Sequence, residues 1–523
     1  VVRKCIATLL IFTLFVTLFG CSGAGSGTGS GIGSGNSTST EPPPQTTDDS
    51  GLTDTQPTAD TRPTPTPQPY FTATLMAQDA ELYGSLLVLD DGAVGQFEQR
   101  DSEDKLEFTV DIEYEGFYKL EFEMRTIGGF KSNYLHINDA PSGEFTADSA
   151  DFSTVEVSRV YFEQGQNTVA VSAHWGWCAI RSLTITTEGA LDVSLYNASA
   201  NLVNPNADEN ALRLMSFLAD TYGNYFLSGQ QSQGDRNRNN GLFLAEAKFV
   251  YDTTGKRPAV IGLDMMDYSL SRVANGESSF ETEAAIEAWE AGAIVTFCWH
   301  WNAPTPYIDG TWYSAFYTQH SQNGFFKKIM DGNDPQGYEL LLEDIDAIAV
   351  QLTRLRDAGV PILWRPLHEA SGGWFWWGTD KDSYLKLYKL LFERLTDYHN
   401  LTNLIWVWNG QHKDWYPGDE YVDIIGEDVY ADAFDYSSQS AKFFEAAEYT
   451  DTNKMIVLSE NGVLFDPDLA ARDGAWWGYW CVWNGNFARS EEYTDFGKLI
   501  EVYNHELVLT LDELPDLKTY PIR

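Results

Sequence analysis

Glu369 and Glu460 are the residues best suited to chemistry. Each closes an apolar run of strand type, at residues 361–369 and 455–460. A carboxyl that holds its proton can donate to a leaving oxygen, and an ionised one can attack carbon. Cleavage of a glycosidic bond uses both, and its retaining route needs the two carboxyls about 5–5.5 Å apart. Tyr430 is placed to donate a hydrogen bond to Glu460 and favour its ionised form. Burial beside Trp374, and the negative charge of Glu460, favour a protonated Glu369. A single strand-end Glu more often pairs with an Arg, here Arg365. Two of them on suitable strands, flanked by His and Trp, point to catalysis instead. His368-Glu369 runs on into Ala-Ser-Gly with no second His at ligand spacing, so no catalytic metal or other cofactor is expected.

These residues need a frame that brings distant chain segments together. Eight apolar runs occur at 225–230, 258–264, 293–300, 361–369, 404–409, 423–430, 455–460 and 476–483. Helical stretches at 210–222, 281–291, 338–358, 382–398 and 441–449 alternate with them. Strands this uniformly apolar belong to a parallel sheet covered on both faces. Eight of them alternating with helices predict an α/β (β/α)8 (TIM) barrel over residues 195–520. Its active site lies at the C-terminal strand ends, which here supply Asp264, His300, His368, Glu369, Asn409, Asp428, Tyr430, Glu460 and Trp483. The fourth and seventh strands face each other across the mouth, so their glutamates can meet.

The chain is multidomain. Over residues 70–187 short β-type runs recur at 106–112, 117–124, 133–137, 156–162, 168–173 and 179–186, with no long helix between them. They predict a jelly-roll-like β-sandwich. Residues 22–69 are Ser, Gly, Thr and Pro with little apolar content, the composition of a disordered tether. At the start, Arg3 and Lys4 precede the apolar stretch 6–19, and Leu18-Phe19-Gly20-Cys21 resembles the bacterial lipobox. Residues 1–21 are therefore expected to be a lipoprotein signal with Cys21 as the lipidated residue. That expectation places the protein outside the cell, held to the membrane only through the lipid. Cys178, Cys298 and Cys481 are isolated in apolar runs and are expected to be buried thiols.

The 523 residues carry a formal charge of −42, which repels nucleic acid and suits a neutral polymer. Aromatic residues make up 14%, with 17 Trp, and aromatic rings suit the apolar faces of sugars. A monomer is the default expectation.

The residues carry two resemblances. Trp364-Arg365-Pro366-Leu367-His368-Glu369, with Gly373-Trp374-Phe375-Trp376-Trp377, closely resembles the acid/base segment of family 26 glycoside hydrolases. Leu458-Ser459-Glu460-Asn461-Gly462 resembles their nucleophile segment, and Gly426-Glu427-Asp428-Val429-Tyr430 their sixth-strand motif, whose Tyr contacts the nucleophile. Trp299-His300-Trp301 matches the third-strand segment that meets substrate, which implies groove positions for His300 and Trp301. The run from Trp476 to Trp483 is similar to the eighth-strand segment ending in an aromatic platform. The resemblance spans about residues 205–515. It implies a (β/α)8 barrel, a retaining mechanism and no catalytic metal. It also implies that His368 positions Glu369 or contacts substrate, that Trp374 packs on a sugar, and that Arg365 holds the carboxylates. Most members are endo-β-1,4-mannanases acting on mannan, glucomannan or galactomannan; others cleave mixed-linkage β-glucan or β-1,3-xylan. A non-catalytic surface glycan-binding lipoprotein is the alternative of another class, and the presence of both glutamates speaks against it.

The sandwich resembles family 35 carbohydrate-binding modules. Ala77-Gln78-Asp79-Ala80-Glu81, Gly116-Phe117-Tyr118, Gly165-Gln166-Asn167-Thr168-Val169 and Trp175-Gly176-Trp177 carry this likeness. It implies Trp175 and Trp177 as ligand contacts. The structural Ca²⁺ common in these modules loses ligands here, because Met76-Ala77-Gln78 stands where Glu-Ala-Glu is usual and Arg181 where Asp is usual.

Overall fold

The structure, a computed structural model, describes residues 68–97, 103–232 and 245–523. The leader with Cys21, the tether to residue 67 and the side chain of Trp175 lie outside the described residues.

Strands Gly229–Gln231, Val260–Asp264, Ile294–Trp299, Ile362–Pro366, Leu404–Trp408, Ile424–Val429, Met455–Asn461 and Trp480–Val482 close into a parallel barrel in chain order. Every residue of the third strand, Ile-Val-Thr-Phe-Cys-Trp, is buried, as is every residue of the fifth, Leu-Ile-Trp-Val-Trp. Both faces of these strands are covered, which is why they read as unbroken apolar runs. Two of the helices outside the barrel show side-chain caps at their starts. Asp208 accepts from Ala211 N–H to open Glu209–Thr221, and Asp334 opens Pro335–Asp357, where Pro stands in the first turn. The stretch expected at 382–398 is an α-helix at Lys381–Glu393 that passes into a π turn at Arg394–Tyr398.

The N-terminal part is a sandwich of a six-stranded and a five-stranded antiparallel sheet among the described residues. In Lys105–Ile112 every second residue, Leu106, Phe108, Val110 and Ile112, enters the inner core, the period-two pattern of a one-sided sheet. The short strands Thr72–Met76, Glu81–Tyr83, Leu87–Val88 and Val94–Gly95 were not expected, because they leave little room for a period, nor was Ala140–Ala147, whose Pro and Gly look like turn residues. Among the described residues Cys178, Cys298 and Cys481 are buried free thiols.

The sandwich docks on the barrel beside the mouth. The helix Ser440–Ala447, which follows the sixth barrel strand, lies against Ala140–Ala147 and Ser153–Phe162. Thr146 Oγ1 donates to Glu445 Oε1 at 3.2 Å, and Tyr134 OH donates to Asp432 Oδ1 at 3.1 Å. Lys442 is buried at this contact, with its Nζ 3.0 Å from Glu445.

Candidate active site

The fourth strand runs directly into Leu367, His368 and Glu369. Leu367 and Glu369 both take φ of 53°, a region that residues with side chains rarely adopt. Such backbone costs about 1–3 kcal/mol and persists only where neighbours over-determine it. Here Glu369 N–H donates to both the carbonyl oxygen (2.7 Å) and Oδ1 (2.9 Å) of Asn409. Trp377 Nε1 donates to the His368 carbonyl at 2.8 Å. The twist leaves Glu369 partly exposed at the mouth while His368 is buried. Trp374 folds back over Gly372, where a Cβ would lie only 2.0 Å from the indole ring. Its Nε1 donates to Glu369 Oε2 at 2.7 Å, and 46% of the residue stays exposed.

A bulge sets the opposite wall. The sixth and seventh strands pair Glu427 with Leu458 and then Asp428 with Glu460, so Ser459 is the extra residue. The shift puts Asp428 and Glu460 side by side, facing Arg365 of the fourth strand. Arg365 Nη1 donates to Asp428 Oδ2 at 2.8 Å, and Nη2 donates to Glu460 Oε1. Tyr430 OH donates to Glu460 Oε2 at 2.7 Å. Both Glu460 oxygens are thus acceptors, an arrangement that the carboxylate satisfies. Asn409 Nδ2 and Ser459 Oγ donate to Asp428 Oδ1 at 3.1 and 2.8 Å. One oxygen from each of Glu369, Asp428 and Glu460 lies within 4.8 Å of the others.

Burial, reinforced by the negative charges of Asp428 and Glu460, pushes the Glu369 carboxyl well above its ordinary range. Burial also lifts Asp428 to about 7, against the pull of Arg365. Tyr430 is pushed up by burial and by Glu460, so it keeps the proton it donates. The site therefore holds one carboxyl biased to keep a proton beside one that accepts hydrogen bonds at both oxygens. That is the pairing glycosidic cleavage requires.

The third strand supplies the remaining wall. His300 Nδ1 lies 2.6 Å from Asp264 Oδ2, and its backbone N–H donates to Asp264 Oδ1 at 3.1 Å. Nε2 of His300 and Nε2 of His368 are 3.2 Å apart. Burial, then the neighbouring His300 and Arg365, push His368 well below its ordinary value, so it is neutral. Phe316, Phe375 and Trp483 ring His300 at centroid distances of 5.0, 5.5 and 5.8 Å.

Glu369, Glu460, Tyr430, His300 and Trp483 gather at the mouth as the strand-end rule predicts, and Trp374 joins them from the loop after the fourth strand. Trp301, expected in the groove, lies elsewhere. Trp301 is fully buried, stacked on Trp299 at 4.1 Å, with Nε1 donating to Asp344 Oδ2 at 2.9 Å. It belongs to the core behind His300 and cannot meet a sugar. His368 is sealed behind His300, and Arg365 is spent on Asp428 and Glu460. Both support groups that face the groove. The partnership of Asp264 with His300 was not foreseen, although both residues stand at neighbouring strand ends. On the sandwich, Trp177 is 55% exposed.

Among the described residues, two clusters bring oxygen, nitrogen or sulfur donors together. Asp264, Cys298 and His300 form one, and Glu369, Asp428 and Glu460 the other. In the first, burial pushes the Cys298 thiol well up, and a neutral thiol is a poor ligand. In the second, the Arg365 guanidinium already supplies the positive charge between Asp428 and Glu460.

Residues 203–513 match Glycosyl hydrolase family 26, and residues 72–188 match Carbohydrate binding module (family 35). The chain belongs to glycosyl hydrolase family 26. This family 26 enzyme is a glycoside hydrolase that carries a family 35 carbohydrate-binding module. It is 38% identical over 466 residues to a mannan endo-1,4-beta-mannosidase of Thermothelomyces thermophilus, covering 87% of this chain and 93% of the relative. It is also similar to the crystal structure of the Podospora anserina GH26-CBM35 beta-(1,4)-mannanase, at 38% identity and a TM-score of 0.60. That match covers 86% of this chain and 99% of the other. A beta-mannanase from a symbiotic protist of the termite Reticulitermes speratus, solved with gluco-manno-oligosaccharide, matches at 32% identity and a TM-score of 0.53. It covers 61% of this chain and 99% of its own.

Proposed function

We propose that the protein is an endo-β-1,4-mannanase that works by retaining double displacement. The observation that carries this reading is the approach of Glu369, Asp428 and Glu460 within 4.8 Å, with Glu369 driven towards its protonated form. Glu460 attacks the anomeric carbon, and the bond from that carbon to the glycosidic oxygen breaks. Glu369 gives its proton to that oxygen as it leaves. Glu369, now ionised, takes a proton from water, whose oxygen displaces Glu460 from the sugar. Tyr430 and Arg365 hold the Glu460 carboxylate in line. β-Mannan is the favoured substrate because the similar proteins are mannanases by name, one of them solved with a gluco-manno-oligosaccharide. Neither step needs a metal or another cofactor.

The sandwich is proposed to hold its glycan without Ca²⁺. Met76 pairs with Ser182, the neighbour of Arg181. There Arg181 Nη1 donates to Glu123 Oε1 at 2.5 Å, a fixed positive charge where a cation ligand would stand. Anchoring through Cys21 is proposed from the lipobox-like segment; labelling with a fatty acid, lost in Cys21→Ala, tests it. The central test is reducing-end release from galactomannan, barley β-glucan and β-1,3-xylan, with the product anomer followed by NMR. Release from galactomannan with the β-anomer formed first is expected. Activity confined to the glucan or xylan, or an inverted first product, overturns the reading.

A further inference from the structure

We propose that the sandwich apex around Trp177 is the far end of the catalytic groove and binds the leaving half of the polysaccharide chain being cut. This rests on Glu369 as the acid. Glu460 meets the anomeric carbon and Glu369 the oxygen beyond it, so the departing, reducing-end half extends past Glu369 and the loops after the fourth and fifth strands. That rim is continuous with the sandwich. Ser371, two residues beyond Glu369, donates its N–H to Gly410 O at 3.2 Å and its hydroxyl to Gln411 O at 3.4 Å. The next residue, His412, places Nε2 4.0 Å from Asp148 Oδ2 of the sandwich. Ser149 O accepts from Thr126 N–H at 2.7 Å, and Ile127 N–H donates to Trp177 O at 2.8 Å. A second tie, Tyr134 to Asp432, fixes the sandwich two residues beyond Tyr430.

The apex reached by this path exposes apolar side chains. Trp177 and Ile127 are each 55% exposed and Phe130 49%, against 46% for Trp374 beside the acid. Exposed aromatic faces at both ends of one rim suit the C–H faces of successive sugars on a single chain. The polar and ionic docking contacts hold those faces in one register. A module on a loose tether would bind polymer without influencing where the cut falls. One fixed beside the leaving side instead selects chains long enough to reach Trp177.

The test compares wild type, Trp177→Ala and Trp177→Phe as full chains on β-1,4-manno-oligosaccharides from tetramer to decamer. Hydrolysis in ¹⁸O-water marks the new reducing end, so mass spectrometry gives the position of each cut. For the longer oligomers, Trp177→Ala is expected to lower kcat/KM about three- to ten-fold. It should also move the cuts towards the reducing end, with Trp177→Phe restoring much of both. The tetramer should be hydrolysed at an unchanged rate. An unchanged cutting register in Trp177→Ala, even with weaker polymer binding, overturns the proposal. If wild type cleaves no manno-oligosaccharide, the mannanase reading falls instead, and the same series in the accepted glycan repeats the comparison.

Discussion

Two clusters of buried charge lie on opposite faces of the sixth barrel strand, each built around one cation. Asp428 faces inward, where Arg365 holds it together with Glu460. Its neighbour Glu427 faces outward, beneath Lys442 of the helix Ser440–Ala447. Burial opposes the charge of Lys442, but Glu445, Glu144 and Glu427 outweigh it and hold the ammonium above its ordinary value. Despite its own burial, Glu144 is drawn down to about 2 by His174 and Lys442. Each cluster also contains a carboxyl that burial drives well up, Glu369 in one and Glu427 in the other. Glu427 is sealed, at 1% exposure, whereas Glu369 faces the groove with Trp374 on its oxygen. The comparison teaches that a raised carboxyl does not by itself mark an acid catalyst. It must also be reachable and stand opposite a nucleophile.

The sharpest contrast comes from Glu460→Ala, expected to lower kcat by about 10⁴-fold or more while the protein stays folded. A turnover near wild type would remove Glu460 from the mechanism. Glu369→Gln should cost about 10²–10⁴-fold on mannan and far less on aryl mannosides with good leaving groups, which need no proton. Wild-type kcat/KM should fall as pH rises through the elevated Glu369 value, because the acid must hold its proton. An equal loss on both substrate types would contradict the assignment.

Across the strand, Lys442→Met should leave hydrolysis of short oligosaccharides near normal. It should lower unfolding stability by about 3–5 kcal/mol, since the carboxylates of Glu144 and Glu445 lose their cation. Denaturant titration beside the activity assay measures both, and a selective loss of activity would erase the distinction between the clusters. The smallest effect belongs to Glu427→Gln. A carboxyl raised in the folded state favours folding below its unfolded value, and that contribution is lost as pH rises towards the folded value. The amide removes this loss. Relative to wild type, the variant should gain on the order of 1 kcal/mol per pH unit between about pH 4 and pH 7, with activity unchanged. A relative loss over that interval would show that Glu427 is ionised in the folded protein.

Much of this was legible in the residues. All eight barrel strands were found because burial on both faces leaves an unbroken apolar run. Glu369, Tyr430 and Glu460 were found because they close those runs. Trp301 was misplaced because an indole beside a strand-end His looks the same from the chain whether it faces groove or core. The bulge at Ser459 left no local mark, yet it decides that Asp428 and Glu460 share Arg365.

What the chain dictates alone is therefore periodic and local: which segments become strands, where they stop, and which polar residues stand at their ends. That Asp428 and Glu460 share one cation, and that the sandwich docks against the barrel, emerged only on folding. Electrostatic and packing energies depend on distances through space, and those distances join the fourth, sixth and seventh strands to a sandwich far away in the chain.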